Sequence, residues 1–115
     1  IFIWCDAEED FVKRTAFSLI AIIAVHDKKA SDDYFNKYYP IIKEASKDNR
    51  NFVKKSVNWA LRSIGKRNIN CNQRALNVAY DILKLDDKSS RWVANGAIRE
   101  LESEKVQERL IKKLG

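Results

Sequence analysis

The chain has 115 residues, 45% apolar and 33% charged, and its 22 Lys+Arg against 16 Asp+Glu leave a net charge of +6. These totals exclude a disordered chain and bound the fold to one domain, or a piece of one, with a modest core. Three glycines and one proline argue against a turn-rich β protein, and no apolar run approaches the roughly 20 residues of a membrane span.

In chain order, Ile1-Phe2-Ile3-Trp4-Cys5 reads as the tail of an apolar helix. Because the chain also lacks methionine, the expectation is the C-terminal part of a larger helical domain whose preceding helices are absent. Asp6-Ala7-Glu8-Glu9-Asp10 is an acidic turn suited to a helix N-terminus through capping and the macrodipole. A helix is predicted over 10–25, with Val12, Ala16, Leu19, Ile20 and Ile23 on its core face. Adding 41 to each number gives Val53, Val57, Ala60, Leu61 and Ile64, which fall on one arc of a second predicted helix over 51–66. A third copy lies 40 residues further on, where Trp92, Val93, Ala97 and Leu101 answer Phe52, Val53, Val57 and Leu61 in a helix over 90–102. It weakens at Glu100, which stands where a small apolar residue is expected and fits a terminal repeat facing water.

Partner helices lie between these. Residues 32–46 space Tyr34, Phe35, Tyr38, Ile41, Ile42 and Ala45 helically, and Pro40 predicts a kink or two short helices with the proline in the first turn of the second. Residues 72–85, capped by Asn70 or Asn72, place Leu76, Ala79, Tyr80 and Leu83 on one face. Ser103 is the expected cap of a last helix carrying Val106, Leu110, Ile111 and Leu114. Three helix pairs at a period near 40 residues make the fold expectation an all-α superhelix, a HEAT-like repeat solenoid.

The helix over 51–66 carries Lys55, Asn58, Trp59, Arg62 and Lys66 opposite its core face. Under the repeat, Arg14 answers Lys55 and Asn95, and Ser18 answers Trp59 and Arg99. The corresponding positions form a mostly cationic ladder with one indole. Such a ladder suits backbone phosphates through charge and counterion release, and an aromatic can stack on a base. Packing against a neighbouring helix and ordinary solvation account for the same residues equally well. Lys66-Arg67 also favours a helix C-terminus. Trp4 and Trp92 read as core or edge packing, and His26, beside Asp27, as a structural histidine without a nucleophile at triad spacing. Cys5 and Cys71 lack a metal-spaced companion and read as idle thiols of a reducing compartment. Asp6, Glu8, Glu9 and Asp10 read as a helix cap, so no metal or cofactor is expected.

Asn51-Phe52-Val53-Lys54-Lys55-x-Val57-Asn58-Trp59-Ala60-Leu61-Arg62-x-Ile64-Gly65-Lys66-Arg67-Asn68 resembles the signature of the DNA alkylation repair family, the AlkD-like proteins built from HEAT-like repeats. Phe11-Val12-Lys13-Arg14-x-Ala16-Phe17, His26-Asp27-Lys28, Ser90-Arg91-Trp92-Val93-Ala94 and Arg99-Glu100-Leu101 extend the likeness over nearly the whole chain. The resemblance implies a DNA glycosylase that removes N3- or N7-alkylated purines from duplex DNA without a cofactor. It assigns Arg14 as the active-site arginine and Trp59 as the second active-site tryptophan, with Lys55, Asn58, Arg62, Lys66 and Arg99 on the DNA. The family's catalytic aspartate belongs to a helix upstream of Arg14, and nothing in this chain matches it, since Asp6 and Asp10 lie in the cap of the arginine's own helix. A non-catalytic DNA-binding module and a protein-interaction scaffold are the alternatives to an enzyme. A monomer in the cytoplasm, associated with the nucleoid and not with membrane, completes the expectation.

Overall fold

The computed structural model describes residues 2–114, with side chains from Trp4 onward; Ile1, part of the apolar opening, lies outside the described residues. Among these residues the fold is all-α. Its elements are α1 (Phe2–Cys5), α2 (Asp10–His26), a 3₁₀ helix (Asp32–Tyr38), α3 (Tyr39–Ala45), α4 (Asn51–Gly65), α5 (Ile69–Leu83), α6 (Lys88–Leu101) and α7 (Glu104–Leu114). No described helix is long and apolar enough to cross a membrane.

The three repeat-initiating helices lie side by side, α2 against α4 and α4 against α6. Their partners form a second layer, in which α3 meets α5 and α5 packs on both α4 and α6. The thinnest dimension, 19 Å, accommodates two such layers at ordinary interaxial distances of about 8–10 Å. Val53, Val57, Ala60, Leu61 and Ile64 of α4 are fully buried, as their spacing predicts, so the central helix is covered along its whole apolar arc. At the start of α3, Pro40 occupies the first turn, where its missing N–H costs no helical bond, and the 3₁₀ helix ends just before it.

Four sequence expectations are corrected. In α2 the buried residues are Ala16, Phe17, Ile20, Ala21 and Ala24, while Val12 and Leu19 are half-exposed. The buried face is therefore rotated toward Phe17, Ala21 and Ala24 relative to the expected arc. In α5 the buried face is Cys71, Asn72, Ala75, Ala79 and Ile82; Tyr80 is exposed and its hydroxyl donates to Glu102 at 2.6 Å. The cap of α5 is Asn68, whose side chain accepts from the Cys71 N–H at 2.8 Å, so the helix starts earlier than either expected asparagine. On α7 only Val106 and Leu110 are buried; Ile111 and Leu114 face outward.

Polar joints tie the layers. The Asn72 amide donates to the carbonyls of Gly65 and Leu101, and the Gln107 amide donates to Asn72 Oδ1 and Leu101 O, joining the ends of α4 and α6 to α5 and α7. These bonds satisfy helix-end carbonyls that would otherwise be buried without donors. Both thiols are buried, and burial pushes each up to about 11. Cys71 Sγ also hydrogen-bonds the Asp32 carboxylate at 3.3 Å.

Candidate nucleic-acid interface

The first residue of each repeat helix face is aromatic: Phe11, Phe52 and Trp92. In each case the ring lies well round the helix from the core positions. Phe52 precedes Val57 by five residues, about 140° at 100° per residue. All three are accordingly exposed, at 66%, 56% and 43%. Of the two readings of Trp92, core or edge packing, its exposure selects the edge, and the Lys54 ammonium stands 4.8 Å from its ring centre.

Cations fill the intervals between these rings. The Arg14 guanidinium lies 5.3 Å from the Phe11 ring and 4.8 Å from the Phe52 ring, bridging α2 and α4. Lys55 Nζ is 6.0 Å from Phe52. Ring faces carry partial negative charge, so these positions hold the cations without neutralising them. Asp10 accompanies Arg14 one turn earlier, at 3.5 Å.

Between α2 and α4 this row borders an open depression of about 330 Å³ lined by Arg14, Ser18, Phe52, Lys55, Ser56 and Trp59. The structure thus brings together Arg14, Lys55 and Trp59 from positions that the repeat alone had put in register. Trp59 is 38% exposed and presents part of its indole to the depression. None of the lining residues is acidic.

The remaining candidates are placed differently. Asn58 does not share the open arc: it is buried between α4 and α6, its amide donates to Val93 O at 2.9 Å, and it packs against Gly96. Periodicity put Asn58 opposite the core of a two-layer helix, but α6 covers that flank too. A Cβ at Gly96 would stand 3.0 Å from the Asn58 amide nitrogen, so glycine there permits the approach. Arg62 and Lys66 are half-exposed, and both are paired with Glu100, Lys66 at 2.8 Å. Glu100 is thus no mere water-facing replacement for an apolar residue. Burial raises its carboxyl, but the hydrogen bonds from Lys66 and Arg62 outweigh that and hold it below the ordinary value. Arg99 is exposed in the last turn of α6 and does not line the depression.

Sequence reasoning missed Phe11, Phe52, Lys54 and Glu100. The aromatic row was visible as an off-face position repeated three times; the Glu100 pairing was not, because it depends on how α4 and α6 are tilted. His26 is exposed at the end of α2. Among the described residues no group of three or more His, Cys, Asp or Glu stands close enough to hold a metal ion.

The family model for DNA alkylation repair enzyme matches residues 1–101. No curated protein and no solved structure matches the chain.

Proposed function

The chain belongs to the DNA alkylation repair enzyme family, and on that premise we propose that it recognises N3- or N7-alkylated purines in duplex DNA and excises them at the N-glycosidic bond. DNA alkylation repair and a DNA partner follow from the membership itself. In this reading the repeat helices form a HEAT-like superhelix whose α2–α4–α6 side is the basic, concave DNA surface. The protein acts as a monomer on chromosomal DNA in the cytoplasm.

The observation that carries the proposal is the meeting of Arg14, Lys55 and Trp59 in one acid-free depression between α2 and α4. Each part has a task there. Lys55 and Arg14 attract backbone phosphates, with the Phe11 and Phe52 rings holding the guanidinium ready. The partly exposed indole of Trp59 offers its face to the lesion nucleotide. An alkylated purine carries positive charge, which an indole face attracts more strongly than a neutral base. That charge also makes the base an activated leaving group, so stabilising the developing sugar cation is what remains for catalysis. Arg99 adds a phosphate contact at the far edge. Arg62 and Lys66 do the same once DNA competes with Glu100 for them.

The absence of an acidic side chain from the lining favours a second reading, a DNA-binding module that recognises the lesion without cleaving. One experiment separates the two. Duplex containing an N7-alkylated purine is incubated with the chain, and binding across a salt series and release of free base are both measured. A log–log salt slope of several units, reduced by about one in Lys55→Ala, identifies phosphate contact by this surface. Base release at a rate above the spontaneous one establishes excision; binding without release establishes the second reading. No binding at low salt refutes both.

A further inference from the structure

A second cavity opens further along the α2–α4 groove. Ser63 follows Ser56 by seven residues, and Val25 follows Ser18 by seven, so this cavity lies about 10 Å beyond the Arg14–Trp59 depression at 1.5 Å rise per residue. It measures about 630 Å³, nearly twice the first, and α7 contributes Arg109 and Lys113 to its lining. Five of its nine lining residues are cationic, Lys28, Lys66, Arg67, Arg109 and Lys113, and none is acidic.

These cations come from three separate stretches of the chain: the turn after α2, the end of α4, and α7, which supplies two from successive turns. Their arrangement is built. The Arg67 guanidinium donates to the carbonyls of Ala24, Asp27 and Ala30, and Lys113 Nζ donates to the carbonyls of Lys66 and Arg67. Carbonyls orient these two side chains but leave their charge intact. Among the described residues no ion pair involves Lys28, Arg67, Arg109 or Lys113; Lys66 is paired on its other side with Glu100. Partial burial and the proximity of Lys28, Arg109 and Arg67 both disfavour the charged form of Lys113, which lowers its pKa. A cluster of like charges held close together, without a counter-charge, is relieved by an anion.

We propose that this cavity is a binding site for phosphate groups, distinct from the Arg14–Trp59 depression. Lys28 and Arg109 close on the phosphate oxygens from the rim, and Lys113 and Arg67 supply fixed positive charge from the wall. Two sources carry that chemistry: a free oligophosphate, or a backbone phosphate of nucleic acid lying along the groove. The assignment rests on the cavity alone and stands whether or not the chain excises bases.

The test is a titration of the whole chain with inorganic pyrophosphate, with ionic strength held constant by sodium chloride. Side-chain and backbone resonances at Lys113, Arg67 and the Trp59 indole are followed by NMR. Saturable shifts at Lys113 and Arg67 with the Trp59 indole unmoved are expected. The double variant Lys28→Gln/Arg109→Gln, at two exposed positions outside the core, weakens pyrophosphate on the order of tenfold or more. Shifts that fail to saturate, or that persist unchanged in the double variant, overturn the site. A competing arm adds unmodified duplex DNA. Displacement of pyrophosphate, with duplex affinity lowered in the same double variant, assigns the site to backbone phosphate; no displacement assigns it to a free oligophosphate. Pyrophosphate binding with no duplex binding at all would sink the proposed DNA surface and leave this site standing.

Discussion

Trp59 and Val57 are two residues apart on α4 and stand in opposite environments, one 38% exposed and the other fully buried. Removing two methyl groups by Val57→Ala leaves a cavity in the core and is expected to cost about 2 kcal/mol. Trp59→Ala is expected to cost a comparable amount, about 1–3 kcal/mol, because more than half of the indole is covered, and in addition to lower affinity for alkylated duplex. Urea unfolding of the two variants beside a binding isotherm checks this; a Trp59 variant that loses stability with DNA affinity intact makes the indole a packing residue. Asp48 yields a pH prediction. The Arg50 hydrogen bonds, followed by that from Lys13, hold its carboxyl far below the ordinary 3.8, against the opposing effect of burial. A carboxyl whose folded-state pKa is depressed stabilises fully above its unfolded value, and the contribution disappears as pH falls through the folded one. Asp48→Asn is therefore expected to cost about 2 kcal/mol at neutral pH. The gap from the parent should hold down to about pH 5 and narrow below pH 4, as unfolding measured across pH will show. What could be read at this scale before the structure was the register of Arg14, Lys55 and Trp59. Asn58 could not, because one helix's periodicity says nothing about a third neighbour on its flank.

At the scale of elements, the repeat arithmetic located the helices well because each copy carries its own core arc. It located the faces less well. The α2 arc inferred from Val12 and Leu19 borrowed the register of α4, yet α2 buries Phe17, Ala21 and Ala24 instead. Tyr80 looked apolar by spacing but extends to Glu102, an amphipathic side chain with its body along the surface and its hydroxyl bonded. Gly65 is where the element argument becomes testable. It sits at the end of α4 against α5 and α6, and an added Cβ would stand 2.6 and 2.7 Å from the Leu101 methyls and 3.1 Å from the Ala75 Cβ. Leu101 is fully buried, so its methyls have little room to retreat. Gly65→Ala is accordingly expected to destabilise by about 1–3 kcal/mol from overpacking, in spite of alanine's better helix propensity. In a double-mutant cycle with Leu101→Ala the two losses should be less than additive, since the smaller side chain makes room for the methyl. Strict additivity would mean that the close approach of α4 and α6 does not depend on this glycine.

For the whole molecule the net charge of +6 says less than where the charge stands. Arg14 and Lys55 line a depression with no acidic residue in its lining, although Arg14 also pairs with Asp10 one turn back, whereas Arg62 and Lys66 share the single carboxylate of Glu100. The composition could indicate a polyanionic partner; only the packing of α4 on α6 reveals that, beyond the Arg14–Asp10 pair, Glu100 engages two more of the ladder's cations. If phosphates are to use them, they must displace Glu100, and the pair should then act as a brake on DNA binding. Glu100→Gln removes the negative charge while keeping the shape. The Glu100 pairs are about a third exposed and worth little individually, so stability should fall by no more than about 1 kcal/mol. Duplex affinity at low salt should rise severalfold, and the log–log salt slope should steepen by about one to two units as Arg62 and Lys66 engage phosphates. Adding Arg62→Ala to Glu100→Gln should remove about one of those units. An affinity and slope unchanged by Glu100→Gln would mean that Arg62 and Lys66 serve the α4–α6 contact alone, leaving the DNA surface to Arg14, Lys55 and Arg99.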